Sequence, residues 1–249
     1  MQLDSVDVSA RIMTPLIVKI GERYLKAHGS NTDVEASLQF LKQFDGDFSL
    51  ESVPATIYAT WQHFFYRGLL YKYTRGSYSA QKNPSTSIWS VEQQINLLDH
   101  DSSADLYQRL LTGVASNDPK ILERYDDKLC GGTPYADLGE SQKITHEQGK
   151  NCEYNVIRSL QESQIWLRKS FGEDPKKWKW GDVHLNDFEN IPWSVTPLKY
   201  IFHRSVPFAG NSFTINVARY PIASVGVFGY FKSMFSANYK QVLQYGNTA

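Results

Sequence analysis

Apolar side chains recur at helical spacing through the first two-thirds of the chain. Val8, Ile12, Leu16, Ile20 and Tyr24 follow one another every four residues, which predicts an opening helix with a single apolar stripe. Because such a stripe is buried against other elements, these five residues are predicted to belong to a hydrophobic core.

A capping box is predicted shortly after this helix. Thr32 followed by Glu35 has the Ser/Thr-x-x-Glu pattern that opens helices, and Val34, Leu38 and Leu41 would face inward from the short helix behind it. The same kind of spacing predicts further helices over residues 53–76, 90–98, 104–114, 119–128 and 153–171.

The helical periodicity disappears after residue 172. The remaining segment is rich in aromatic and β-branched residues, Pro and Gly, and residues 212–220 and 238–246 have the composition of strands. Helices first and strands afterwards predict an α+β fold, with a mainly helical region over 1–172 and a β-rich region over 173–249.

The charge balance removes one class of partner. The 249 residues include 26 basic and 26 acidic side chains, so the formal net charge is zero. A nucleic-acid partner is not expected, because phosphate backbones are bound by basic surfaces. No stretch approaches the ~18 apolar residues of a membrane span, so no spanning segment is expected either.

The two cysteines, Cys130 and Cys152, bracket a polar loop and are too few for a disulfide framework. A disulfide between them would stabilise the fold by about 3 kcal/mol through restriction of the unfolded chain. Two buried, reduced thiols fit the spacing equally well, so the residues alone leave both states open.

The most unusual segment combines two tryptophans, a glycine, an aspartate and a histidine. Trp178, Trp180, Gly181, Asp182 and His184 form the pattern W-x-W-G-D-x-H directly after a predicted helix. Two indoles beside a glycine indicate a tightly packed turn where backbone segments approach closely. Packing is therefore the favoured interpretation over catalysis.

A metal site in this segment is a second interpretation. Asp182 and His184 would lie on one side of an extended segment and could hold a metal together with His203. No third ligand stands at a recognised spacing, so no metal is predicted. The alternative is a histidine whose ring is fixed by hydrogen bonds beneath a tryptophan.

The W-x-W-G-D-x-H segment resembles the penicillin acylase (penicillin amidase) family of N-terminal nucleophile hydrolases. In that family W-x-W-G-x-x-H precedes a Phe, a Pro-Leu pair, Phe-x-Arg, a Gly and T-x-N. The matching residues are Trp178, Trp180, Gly181, His184, Phe188, Pro197, Leu198, Phe202, Arg204, Gly210, Thr214 and Asn216.

The start of the chain is similar to a Q-L-D helix that lies late in the β-subunit of this family. The residues that carry this similarity are Gln2, Leu3, Asp4, Ala10 and Pro15. Residues 44–46 are Phe-Asp-Gly where the family has Trp-Asp-Gly, which is a departure at one position. The resemblance also implies a disulfide between Cys130 and Cys152, since some members have one there.

The resemblance implies an amidase that cleaves linear amides without a cofactor. In the family the N-terminal Ser of the β-subunit is the nucleophile, its α-amino group is the base, and backbone and Asn donors stabilise the oxyanion. This chain begins at a landmark downstream of that Ser. It is therefore expected to be an internal β-subunit fragment with a partial αββα fold and no catalytic residue of its own. The motif residues expected to give structural support are Asp4, Trp180, Gly181, Asp182, His184 and Asn216.

The resemblance also implies partners. These are the rest of the same precursor, namely the α-subunit and the N-terminal part of the β-subunit, and a small-molecule N-acyl substrate in the complete enzyme. The parent protein is expected in a secreted, periplasmic or endomembrane compartment. Two other functions stay open: a catalytically inactive acyl-binding module, and a structural subunit that docks on a partner.

Overall fold

The computed structural model describes residues 4–79, 102–116, 118–122, 152–188, 191–193, 195–220, 229–233 and 235–236. Its long helices precede its strands, so the fold is α+β with a mostly helical first part. The α-helices are α1 (Val8–His28), α2 (Thr32–Leu41), α3 (Val53–Ser79), α4 (Ser102–Val114), α5 (Pro119–Leu122), α6 (Cys152–Phe171), α7 (Trp180–Val183) and α8 (Lys199–Phe202). The strands are β1 (His184–Phe188), β2 (Arg204–Pro207), β3 (Ala218–Arg219), β4 (Phe231–Ser233) and β5 (Phe235–Ser236).

Helix α1 buries only part of its predicted apolar stripe. Met13, Ile17 and Ile20 are buried, whereas Val8 and Ile12 are 61% and 44% exposed. Ile20 of the predicted stripe is buried, and Leu16 and Tyr24 are partly buried against the core. The stripe fails at Val8 and Ile12 because a four-residue step turns a helix by about 400°, so a stripe at that spacing drifts by about 40° per step. The buried face instead combines three- and four-residue steps.

Helix α2 confirms its predicted core residues but not its predicted cap. Val34, Leu38 and Leu41 are buried. The N-cap is Asn31 rather than Thr32, and its side-chain oxygen accepts a hydrogen bond from the Val34 N–H at 3.2 Å. Asparagine is at least as good an N-cap as threonine, so Thr32 becomes the first helical residue.

Helices α3 and α6 form the centre of the helical part. The buried indole of Trp61 in α3 donates its N–H to the Val156 carbonyl oxygen of α6 at 3.2 Å. The same indole stacks on Phe65, with ring centroids 4.9 Å apart. Leu160 is buried on α6 one turn after Val156. An aromatic donor and apolar packing therefore hold the two helices together.

Arg23 joins α1 to the end of α4 and the start of α6. Its guanidinium donates to the carbonyl oxygens of Val114 at 2.6 Å and Ser116 at 2.7 Å, and its Nε lies 3.1 Å from a carboxylate oxygen of Glu153. The last carbonyls of a helix lack intrahelical partners, so this cation satisfies the C-terminal end of α4.

The remaining helix predictions divide into two groups. Those over 53–76, 104–114 and 153–171 are confirmed, with observed bounds that differ by three residues or fewer. Three predictions lie outside the described residues: the helix over 90–98, the part of the 119–128 helix beyond residue 122, and the strand over 238–246.

A small mixed sheet follows the helices, with the strand order β2-β1-β4. Strand β1 pairs antiparallel with β2, where Asp187 lies opposite Ser205, and parallel with β4, where His184 lies opposite Phe231. Strands β3 and β5 form a separate antiparallel pair. Because side chains alternate along a strand, His184 and Asn186 share one face of β1, and both are buried.

The core is continuous between the helices and the sheet. Trp178, Trp180, Val183 and Phe231 belong to the same buried cluster as the core residues of α1, α2 and α3. Burial of these side chains therefore fixes where the sheet lies against the helices. No described helix combines the length and the apolar composition needed to cross a membrane.

We expect Leu160→Ala to lower the free energy of unfolding by about 2–5 kcal/mol, because it leaves a cavity in the buried core. Ile165→Ala is the matched control on the same helix, since Ile165 is 48% exposed, and it should change stability by less than about 1 kcal/mol. Urea unfolding followed by far-UV circular dichroism measures both. Equal losses would contradict the burial of Leu160 and the exposure of Ile165 on α6.

Candidate functional site

The two tryptophans of the W-x-W-G-D-x-H segment each donate to a glycine carbonyl. Trp178 Nε1–H donates to the carbonyl oxygen of Gly172 at 2.9 Å, and Trp180 Nε1–H donates to that of Gly210 at 2.9 Å. Both indoles are buried, so each N–H needs an acceptor within the protein. The segment is therefore held at two separate points of the main chain.

The backbone of the same segment lies against the loop before α3. Trp180 N donates to the Ser52 carbonyl oxygen at 3.1 Å and Gly181 N donates to the Leu50 carbonyl oxygen at 2.8 Å. A Cβ atom at Gly181 would lie 3.2 Å from both the Cβ and the carbonyl oxygen of Leu50. The close backbone approach predicted from this glycine is therefore present.

His184 lies beneath Trp180 with its ring fixed by a hydrogen bond. The two rings stack with centroids 4.5 Å apart, and the imidazole Nδ1–H donates to the Phe208 carbonyl oxygen at 2.6 Å. Burial lowers the pKa of His184 to about 4, while the carbonyl groups of Phe208 and Ala218 oppose that shift. The ring is therefore neutral near pH 7.

Asp182 does not join this arrangement. It lies exposed in the helical turn α7, whereas His184 is buried at the start of β1. The expectation that both side chains share one side of an extended segment was wrong, because the chain changes from helix to strand between them. Asp182, His184 and His203 are all described, and the described residues contain no cluster of three metal-binding side chains.

The loop after Phe208 is built around Gly210 and Thr214. Gly210 has a φ of +87°, and a Cβ atom there would collide with the Asn216 carbonyl oxygen. Thr214 Oγ1–H donates to that same oxygen at 2.8 Å. The backbone of Gly210 donates to the Phe48 carbonyl oxygen at 2.8 Å, so the loop is fixed on the helical part as well.

Asn216 and Asp4 meet at this loop through their backbone. The Asn216 N–H donates to the Asp4 carbonyl oxygen at 2.8 Å, and the Asn216 side-chain amide donates to the Ala209 carbonyl oxygen at 3.0 Å. The Asp4 carboxylate accepts from the Val6 N–H at 2.9 Å. The strand predicted over 212–220 was therefore mostly wrong: turns precede β3, because these polar groups satisfy the backbone locally.

Asp7 and Asn211, which none of the predicted motifs includes, connect the loop to α1. The buried Asp7 carboxylate accepts from Asn211 Nδ2 at 2.7 Å, from Ser9 Oγ at 2.6 Å and from the Ala10 N–H at 3.0 Å. Three hydrogen bonds compensate for the burial of a negative charge. An aspartate directly before an apolar helix is an N-cap signal, so Asp7 could have been found as a cap, but Asn211 could not.

Tyr58 of α3 lies within electrostatic range of Asp7. Burial, and after it the Asp7 charge, raises the pKa of Tyr58 well above its ordinary value. Its hydroxyl group is buried without a hydrogen-bond partner among the described residues. Tyr58 also packs against Phe48, whose ring lies 5.2 Å from that of Trp180. The site therefore rests directly on the aromatic core of α3.

A polar cluster lies on the opposite face of β1. Asp187 accepts hydrogen bonds from Ser205 Oγ at 2.5 Å and Tyr230 Oη at 3.0 Å, and its carboxylate lies 3.1 Å from the Lys232 ammonium. Burial raises the pKa of Asp187, but the bonds from Ser205, Lys232 and Tyr230 outweigh it, so the pKa lies below the ordinary value. This carboxylate is therefore a weak base.

The described site thus brings together four of the six predicted support residues around one loop. The loop of residues 208–216 is contacted by Trp180, His184, Asn216 and Asp4 through the hydrogen bonds given above. Gly181 allows the backbone beside Trp180 to lie close to Leu50.

The Penicillin amidase family model matches residues 1–249.

The chain belongs to the penicillin amidase family.

No curated protein matches the chain significantly.

In this penicillin amidase family member, the disulfide between Cys130 and Cys152 stays a prediction, because Cys130 lies outside the described residues. Cys152 is buried at the first position of α6.

We expect the family member to lose stability as the pH falls from about 6.5 to about 4. His184 has a pKa of about 4 in the fold and its ordinary value of 6.5 in the unfolded chain. The unfolded state therefore binds more protons in this window, so acid favours unfolding. The free energy of unfolding should fall by about 3 kcal/mol across this window because of His184. Urea unfolding at half-unit pH steps measures it.

His184→Gln is the control, because glutamine keeps a side-chain N–H donor and does not titrate. Its stability should depend less steeply on pH across the same window, and the difference between the two curves is the contribution of His184. Parallel curves for the two proteins would show that His184 is not a buried neutral ring.

Gly210→Ala should be far more destabilising than Gly172→Ala. Both glycines have φ near +88°, which strains a non-glycine residue by about 1 kcal/mol or more. Only at Gly210 would the new Cβ atom also collide with main chain, since a Cβ at Gly172 meets nothing within 4 Å. We expect an extra loss of about 2 kcal/mol or more, measured by urea unfolding. Equal losses would contradict the loop geometry.

Proposed function

We propose that this chain is a late β-subunit portion of an amidase that hydrolyses linear amides of N-acyl compounds. The observation that carries the proposal is the family match over residues 1–249. In the proposed reaction an N-terminal Ser, supplied by another part of the precursor, attacks the amide carbonyl, the C–N bond breaks and the protonated amine leaves. Water then hydrolyses the acyl ester, which releases the carboxylic acid and restores the Ser hydroxyl group. In this proposal the catalytic residues belong to that other part of the precursor.

The chemistry of His184 supports this division of roles. A general base must lie within hydrogen-bond reach of the proton it removes and have a pKa near the working pH. His184 is buried, its pKa is about 4, and its Nδ1–H is used by the Phe208 carbonyl group. Asp4, Trp180, Gly181 and His184 would thus position the loop around Gly210 rather than act on substrate.

The Ser205–Asp187 pair is the described serine–carboxylate contact that most resembles a nucleophile and its base. Hydrogen bonds and the Lys232 charge stabilise the ionised form of Asp187, so its tendency to take a proton from Ser205 is low. Ser205 is therefore better explained as a cross-strand contact.

The proposal extends to the organisation of the complete enzyme. Residues 1–172 would form an appended, mainly helical region, and residues 173–249 would return to the αββα sheet layers. The short mixed sheet β2-β1-β4 is the part that would join those layers. The α-subunit and the N-terminal part of the β-subunit would complete the site for a small N-acyl substrate.

We expect the purified chain to release no product from phenylacetyl or long-chain acyl chromogenic amides, since the nucleophile lies elsewhere. Co-expression with the remainder of the precursor should give hydrolysis, and Ser205→Ala should leave the rate of that complex within about twofold. Continuous absorbance assays measure both rates.

Two outcomes would contradict the proposal. Turnover by the chain alone that is lost in Ser205→Ala would place the nucleophile in this chain. A correctly assembled complex that hydrolyses no acyl amide would favour the catalytically inactive acyl-binding or structural module.

A further inference from the structure

Large apolar side chains are exposed in one short part of the chain. Val195 is 92% exposed and Tyr200 is 81% exposed, and their neighbours are also accessible. We call this set the outer patch; its described members are Trp193, Val195, Leu198, Tyr200, Ile201 and Phe202. Contiguous apolar surface of this kind marks interaction sites more often than isolated exposed side chains do.

The outer patch is preorganised rather than a loose set of side chains. Trp193 and Phe202 stack with ring centroids 5.9 Å apart. The Lys199 ammonium lies 5.0 Å from the centre of the Tyr200 ring, which is a cation–π contact. Ordered aromatic rings lose little conformational entropy when a partner covers them, so they suit a binding surface.

The outer patch continues directly into the edge strand β2. The Phe208 N–H donates to the His184 carbonyl oxygen, and the register places Val206 opposite Asn186. In an antiparallel pair, hydrogen-bonded and non-hydrogen-bonded residue pairs alternate. Val206 therefore turns its N–H and C=O toward β1, and Ser205 turns its N–H and C=O outward. Among the described strands, β2 has no neighbour on that side.

The charges beside the outer patch are positive. Lys199 and Arg204 form no ion pair with any described residue. The nearest described carboxylate on the sheet, Asp187, is already bound by Lys232. An acidic side chain on the partner would therefore find a cation that no described carboxylate binds.

We infer that the outer patch and the free side of β2 together bind an extended, apolar polypeptide segment from another part of the same amidase. The segment would pair with the Ser205 backbone, cover Tyr200 and Ile201, and place an acidic residue near Lys199 or Arg204. A lipid surface is a poorer fit, because acyl chains offer no hydrogen-bond partners to the strand. This inference rests on the proposed function, since it takes the partner from the same precursor.

Two variants test the two halves of this surface. Ile201→Glu introduces a charge into the outer patch, and its control is Ile165→Glu, at a comparably exposed position on α6. Ser205→Pro removes the outward N–H of β2, and its control Ser205→Ala removes only the hydroxyl group. Each chain is co-expressed with the remainder of the precursor, and the amount that co-purifies is measured.

We expect Ile201→Glu and Ser205→Pro to reduce co-purification at least tenfold, while both controls retain it. Hydrogen exchange of the Ser205 amide should slow in the complex of the unchanged chain. Undiminished co-purification of both variants would overturn the inference. Two further results would also overturn it. One is flotation of the chain with phosphatidylcholine–phosphatidylglycerol vesicles that depends on the outer patch, and the other is a dimer of the chain alone that Ile201→Glu dissociates.

The same complexes separate this inference from the proposed function. If both variant chains still co-purify and their complexes hydrolyse acyl amides, the docking surface is overturned and the amidase proposal is left intact. A complex that depends on Ile201 and Ser205 but hydrolyses no acyl amide would support the docking surface and overturn the amidase proposal.

Discussion

The buried indole N–H of Trp180 is the constraint on which the end of this fold depends. A buried donor without an acceptor is costly, and here the acceptor is the Gly210 carbonyl oxygen. That bond requires the loop after β2 to turn back over the indole, and the turn requires a positive φ at Gly210. His184 then stacks below the same ring and sets the start of β1. This hydrogen bond acts together with the burial of Trp178, Val183 and Phe231 to place the sheet against the helices.

Polar groups around this indole are directed at the main chain. Asp7 caps α1 and binds Asn211, His184 binds the Phe208 carbonyl group, and Asn216 binds that of Ala209. Groups used in this way are held neutral or compensated, so they contribute rigidity rather than acid–base chemistry. The imidazole of His184 and the carboxylate of Asp7 are thus both occupied by contacts within the fold.

Predictions from the sequence succeeded where local periodicity decides the outcome. Helices over 53–76, 104–114 and 153–171 were found because their apolar spacing and terminal residues are local signals. The α1 stripe was misplaced only at Val8 and Ile12, because a strict four-residue spacing drifts around the helix. The strand predicted over 212–220 failed for a different reason: Thr214 and Asn216 satisfy the backbone with side-chain bonds, which a β-branched composition does not reveal.

The sequence by itself determined the order of helices before strands and the family, because apolar period and motif order are written along the chain. It also pointed to a histidine held beneath a tryptophan as one alternative. Only the tertiary structure decided that Trp180 donates to Gly210, that Asp7 meets Asn211 and that Asp182 stays exposed. These contacts join residues up to 204 positions apart, and which partners meet depends on how the whole core packs rather than on any local pattern.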